Sequence, residues 1–283
     1  MRVTVTYIGG PTALIEIGGL RLLTDPTFDP AGTDYAFKLY TLRKLSAPAL
    51  DVNDLGRIDA VLLSHDHHAD NLDGSGRALV ARVPHVLTTV AGAARLGERA
   101  VGLAPWQRYA SPMPDGDVLE ITATPARHGP VDGDRGPVVG FALQTSRGGQ
   151  SVYVSGDTVW YEGVAQVARR LPVGLALLFM GAARVHEVGP AHLTFTATEA
   201  VAAARTFGDV PIVPLHYEGW AHFSETRDDV DAAFSAAGLR DRLAWLAPGI
   251  PRTFDLVTSR SRLRNTARSA PVQSSIETTR SRI

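Results

Sequence analysis

The chain has 283 residues, 45% of them hydrophobic, a formal net charge of −1 and no cysteine. That length supports a sizeable buried core in one α/β domain, while a charge so near zero supplies no field to draw nucleic acid or an anionic membrane. Without cysteine there is no disulfide, no thiolate nucleophile and no sulfur-ligated zinc or iron–sulfur cluster, so any metal must be held by nitrogen and oxygen.

Met1 to Tyr7 alternates like a strand and lacks the apolar core of a signal peptide, and no later run is long enough to span a bilayer. A cytoplasmic protein with no membrane insertion is expected. Arg2 to Ile8, Leu14 to Ile17 and Leu20 to Thr24 read as strands, turned by Gly9-Gly10-Pro11 and Gly18-Gly19. Thr24-Asp25-Pro26 stops the third, and the segment from Asp29 to Leu55 reads as irregular, with Tyr35, Phe37 and Tyr40 to pack it as a lid. Ala60 to Leu63 is a short apolar run suited to a strand covered on both faces, and a polar cluster begins where it stops. Gly76 to Val83 reads as a helix, Val86 to Val90 as a strand and Ala91 to Leu96 as a helix, a βαβα rhythm.

Val118 to Pro125, Val138 to Thr145 and Ser151 to Ser155 read as strands, the last two joined by the turn Arg147-Gly148-Gly149-Gln150. Val164 to Leu171 reads as helical and Leu175 to Met180 as a buried strand, and Thr196-Ala197-Thr198-Glu199 is a capping box opening a helix to about Phe207. Pro211 to Leu215 is a strand, Asp228 to Ala237 a helix, and Trp245 to Gly249 closes the compact part. The domain is placed at residues 1–258, and Ser259 to Ile283, with six arginines against one glutamate and little to bury, reads as a disordered basic tail.

Four of these strands end in metal-type ligands. His65-Asp66-His67-His68-Ala69-Asp70-Asn71-Leu72-Asp73 follows the first, and His128, Asp157 and His216 follow the strands ending near Pro125, Ser155 and Leu215. A lone histidine after a strand is ordinarily a surface or packed residue. Four such endings at one sheet edge instead converge on a cleft where imidazoles and carboxylates suit zinc, manganese or iron.

At these residues the chain resembles the metallo-β-lactamase-fold hydrolases, whose motif His-x-His-x-Asp-His follows a strand and is completed by a later His, a bridging Asp and a final His. Tyr7-Ile8-Gly9-Gly10-Pro11-Thr12, Leu23-Thr24-Asp25-Pro26, Ser155-Gly156-Asp157-Thr158 and Pro214-Leu215-His216-Tyr217 are similar to the branch holding ascorbate-phosphate lactonases and N-acyl-phosphatidylethanolamine phospholipase D type enzymes. The resemblance runs from Val3 to Pro248 and implies a four-layer αβ/βα sandwich, with metals where the two halves meet.

The central motif departs from the family by one residue. His65-x-His67 keeps the spacing from the left and His68-x-Asp70-Asn71 from the right. His65, His68 and Asp70 are favoured as ligands, because the end that opens a helix fixes Asp70 while a loop absorbs the extra residue; His67 is the alternative. Asn71 stands where the family has a histidine, and a neutral amide is a poor substitute on a transition metal.

The resemblance then implies His65, His68 and His128 on a first metal, Asp157 as bridge, and Asp70 with His216 on a second, with Asp70 also the catalytic base. One or two ions per chain are expected, zinc first and manganese or iron(II) as alternatives. A metal-bound hydroxide, formed because the pKa of bound water falls to about 7, would cleave a small-molecule ester, lactone or phosphodiester. Asp73 and Asp66 read first as a helix cap and a backbone partner, although Asp66 also suits orienting a histidine. Asp25 belongs either to an Asx-turn or beside the site, and His192 and His222 are candidates for substrate contact. Trp106, on the loop Ala104 to Met113, joins Tyr35 and Phe37 as an apolar contact that would set selectivity. Two rivals stand beside this reading: a degenerate, non-catalytic binding domain of the same fold, and a di-iron oxidoreductase, which would need a redox partner module. Oligomeric state is not legible.

Overall fold

The computed structural model describes residues 1–132 and 135–258; the expected basic tail lies outside the described residues. In the first half, β1 (Arg2–Gly9), β2 (Thr12–Ile17) and β3 (Leu20–Thr24) form the expected meander. A small hairpin of β4 (Asp34–Ala36) and β5 (Thr41–Arg43) comes next. After it come β6 (Ala60–Leu62), α1 (Gly74–Val80), β7 (His85–Thr88), α2 (Val90–Leu96) and β8 (Ala100–Gly102). Strands β3, β6, β7 and β8 are all parallel.

The second half repeats the plan. Antiparallel β9 (Arg108–Pro112), β10 (Val118–Pro125), β11 (Val139–Thr145) and β12 (Ser151–Val154) are followed by α3 (Glu162–Arg170), β13 (Val173–Phe179), α4 (Ala197–Phe207) and β14 (Ile212–Leu215), with β12, β13 and β14 parallel. Helix α5 (Arg227–Ala236) and strand β15 (Arg252–Asp255) complete the chain, and β15 returns to pair with β1. Two sheets result, seven-stranded in the order β15-β1-β2-β3-β6-β7-β8 and six-stranded in the order β14-β13-β12-β11-β10-β9.

Side-chain alternation explains why the sheets stack with helices outside. In β13 every residue is buried, with Leu175, Leu177 and Phe179 in the core shared by both sheets and Ala176 and Leu178 in the core under α3, α4 and α5. Strand β6 does the same in the first half, Leu62 facing the sheet–sheet core and Val61 the cluster with Leu79 and Val80 of α1. Period-2 runs that are apolar on both faces require cover on both faces. The outcome is the four-layer αβ/βα sandwich expected from the resemblance. Among the described residues no helix is long and apolar enough to cross a membrane.

Three expectations need correction. The segment from Asp29 to Leu55 is not wholly irregular, since β4–β5 lies within it; its strands are short and mostly exposed, which leaves no apolar periodicity to read. The loop from Ala104 to Met113 carries edge strand β9, and Trp106 packs against the helix-side core beneath Arg170, 4.4 Å from its ring, not in the cleft. The compact part continues past Gly249, because β15 is a polar edge strand recognised only by its pairing with β1.

Candidate metal centre

Each of β3, β6, β12 and β14 has a parallel neighbour, and the residue that matters follows its carboxyl end, where open α/β sheets place their sites. Asp25 follows β3, His65 follows β6, Asp157 follows β12 and His216 follows β14, while His128 follows antiparallel β10. All five are buried. Asp25 (φ 26°) and His216 (φ 52°) adopt left-handed backbone, a strained conformation that clusters at functional sites. Gly156 (φ 59°) lets the halves meet, since a Cβ there would lie 2.8 Å from that of Ser64 and 2.7 Å from the Val139 carbonyl oxygen.

Three imidazoles converge in the first cluster. His65 Nε2 lies 2.9 Å and His128 Nε2 3.1 Å from His68 Nδ1, close to the roughly 3.3 Å between nitrogens that share a tetrahedral zinc at about 2.05 Å. The far nitrogens are fixed. His128 Nδ1 donates to the Leu193 carbonyl at 2.8 Å, which leaves Nε2 as a lone pair. His65 Nδ1 donates to Ser64 Oγ at 2.9 Å, because the Ser64 hydroxyl itself donates to Asp25 Oδ1 at 2.7 Å. Burial and the facing imidazoles push His65 well below the usual histidine range and His68 down to about 3. Neutral rings with inward lone pairs are the form a metal binds. Ser64→Ala is expected to weaken metal affinity about 10- to 100-fold, read by chelator competition; unchanged affinity would remove Ser64 from the set that fixes His65.

Asp157 joins this cluster to a second. Its Oδ2 lies 3.6 Å from His128 Nε2 and its Oδ1 3.5 Å from His216 Nε2, and His216 Nε2 lies 3.4 Å from Asp70 Oδ2. Within each trio, His65–His128–Asp157 and Asp70–Asp157–His216, ligand atoms lie within 4.8 Å of one another. Both Asp157 oxygens and both His216 nitrogens are buried without a hydrogen-bond partner. Burial opposes charge on His216, yet Asp157 and Asp70 outweigh it and raise its pKa to about 10. Burial likewise resists ionisation of Asp70, and His222 and His216 nonetheless hold it well below the carboxylate range. Two buried carboxylates with so few donors form a place built for a cation. The donor set fits a divalent metal, nitrogen-rich at the first position and oxygen-rich at the second.

The other candidates divide. His67 comes within 4.8 Å of His65 and His68, but its Nε2 donates to the Arg135 carbonyl at 2.7 Å. Asp66 is held by Arg95, at 2.7 Å to Nε, tying the loop to α2. Asp73 caps α1 through the Gly76 N–H. Asn71 is fully buried with neither amide atom partnered. His192 pairs with Glu199 of the α4 capping box at 3.1 Å, outside both trios. His222 Nε2 donates to Asp70 Oδ2 at 3.0 Å and lines a narrow cleft over the centre. Tyr40, Leu42, Leu193 and Arg135 also line it, and its free room is about 20 Å³, on the order of one water. Sequence reasoning missed Arg135, which sits in a loop of Gly, Pro and Asp with no periodicity.

Residues 20–217 match the model of the beta-lactamase superfamily domain. The chain belongs to this family. A UPF0173 metal-dependent hydrolase of Pyrobaculum aerophilum is 25% identical over 248 residues, covering 87% of this chain and 97% of that protein. Among solved structures of the same fold, an isothiocyanate hydrolase from Delia radicum gut bacteria aligns with a TM-score of 0.76 at 22% identity, over 90% of this chain and 100% of that one. CmlA, a diiron β-hydroxylase from Streptomyces venezuelae, aligns with a TM-score of 0.62 at 16% identity, over 90% of this chain and 54% of that one. The fold is thus shared by a protein described as a hydrolase and one described as a hydroxylase, so fold alone does not assign the chemistry.

Proposed function

We propose that this chain, a metal-dependent hydrolase of the beta-lactamase superfamily, cleaves a small-molecule ester, lactone or phosphodiester at a centre of two adjoining metal positions. His65, His68, His128 and Asp157 would hold the first ion, and Asp157, Asp70 and His216 the second, with zinc the first choice and manganese or iron(II) the alternatives. The observation that carries this reading is Asp157, whose two buried oxygens have no hydrogen-bond partner and face a ligand histidine on either side. A bound ion of this kind supplies water whose pKa falls from about 15.7 to about 7. Asp70 directs Oδ2 to His222 and His216, which leaves Oδ1 for the proton taken from the attacking water. Leu42, Val185 and Leu193 give the cleft apolar walls that keep bulk water out.

Plasma mass spectrometry of the parent, His128→Ala and His216→Ala tests the centre, together with a panel of a p-nitrophenyl ester, a lactone, a phosphodiester and, after the solved relative, an isothiocyanate. Two ions per parent chain are expected, with each substitution removing at least one and lowering hydrolysis. A parent that takes up no zinc, manganese or iron(II) would overturn the reading in favour of a non-catalytic domain.

A further inference from the structure

The wall of the cleft contains one fixed positive charge that the hydrolytic assignment does not use. Arg135 is held by its backbone to His128 of the centre and to the neighbouring His67, its N–H donating to the His128 carbonyl at 2.8 Å and its carbonyl accepting from His67 Nε2 at 2.7 Å. Its guanidinium is anchored as well, Nη2 donating to the Val188 carbonyl at 2.5 Å. Beside this anchor, Nε is buried and has no hydrogen-bond partner. Among the described residues that line the cleft with His68, Asp70 and His128, Arg135 is the only lysine or arginine.

A tie to the Val188 turn accounts for one N–H of the guanidinium. It does not account for a second donor, Nε, being withdrawn from water and left unmatched, since an ionised donor buried without a partner is costly and rare. The guanidinium is a planar array of donors, and those that Val188 does not take suit a carboxylate or phosphate by charge-assisted bonds. The cleft senses this charge. Burial raises the Tyr40 phenol, and of the charged groups around it Asp70 raises it further while Arg135 lowers it, so Tyr40 lies in the field of both.

We infer that Arg135 is the residue by which the cleft recognises its substrate, and that this substrate carries an anionic group, carboxylate or phosphate, distal to the bond that is cleaved. The inference deepens the hydrolase reading and rests on it for the word substrate. Its test is a binding measurement. Full-length zinc-loaded protein is titrated calorimetrically with butyrate, with glutarate, which adds a distal carboxylate, and with 4-phosphonobutyrate, which adds a distal phosphonate, in the parent, Arg135→Met and Arg135→Lys.

At least one distal anion is expected to bind the parent roughly 10-fold or more tighter than butyrate, and which one does so tells carboxylate from phosphate. Arg135→Met is expected to abolish this advantage and Arg135→Lys to lose most of it, because an ammonium is a point charge without the planar array of donors. Metal content is expected to equal that of the parent. The inference is overturned if neither distal anion gains over butyrate, if the gain survives in Arg135→Met, or if Arg135→Met loses metal, which would make the side chain a prop for the ligand loop. If the preference holds while no compound of the panel is hydrolysed, anion recognition by Arg135 stands and the proposed ester, lactone or phosphodiester class falls.

Discussion

Asp157→Asn is expected to strip the centre of metal and to lower kcat/KM on the order of 10³-fold or more, the largest loss of any single substitution here. Among the described residues Asp157 is the only side chain shared by both trios, and an amide offers a transition metal neither the charge nor the second anionic oxygen. The same change has the opposite effect on the metal-free protein. Without an ion, Asp70 and Asp157 share His216, whose pKa of about 10 keeps it protonated, with His222 beside Asp70 and His128 beside Asp157. Two buried carboxylates then stand close together, and Asn removes the charge of one at nearly constant volume. Calorimetry in excess chelator should show Asp157→Asn melting a few degrees above the parent, at about 2–4 °C per kcal/mol for a chain of this size. With zinc the order should reverse, because the parent gains binding free energy that the variant lacks. A variant that keeps full metal and activity would end the bridging assignment.

This division between charge and packing also marks what the sequence could reveal. The strands with apolar periodicity were legible, as was the gathering of the candidate ligands at their ends, because a strand direction and a chain order suffice to put His65, His128, Asp157 and His216 on one edge. The spacing alone did not choose between His67 and His68. That choice depends on the loop backbone, which turns His67 Nε2 to the Arg135 carbonyl and His68 Nδ1 between His65 and His128. Strands β4, β5, β9 and β15 were illegible for a common reason: short, polar and at edges, they are specified by partners far along the chain rather than by their own pattern. Asp25 was placed near the site without its partner; only the fold shows that it acts on Ser64, and through Ser64 on His65.

Asp73→Ala is expected to lower the melting temperature by about 10–15 °C, the largest stability effect foreseen. Asp73 is fully buried and accepts three hydrogen bonds, from the Gly76 N–H at 2.8 Å, the Asp29 N–H at 2.7 Å and Lys44 Nζ at 3.0 Å. Losing the cap costs about 1 kcal/mol. Leaving Lys44 buried, its side chain 4% exposed, without its carboxylate costs about 3–5 kcal/mol more. Lys44 also lies over the Trp220 ring, 5.5 Å from its centroid, and directly follows β5, whose Leu42 lines the cleft. The ion pair therefore ties the hairpin over the centre to the start of α1, three residues beyond Asp70. Breaking it should loosen that cover and raise KM more than it lowers kcat. The double variant Lys44→Met with Asp73→Ala isolates the charge, since removing both partners of a buried pair is often neutral where removing one is not. Recovery of most of the lost stability in the double variant would assign the penalty to the stranded ammonium, whereas additive losses would assign it to the cap and to packing.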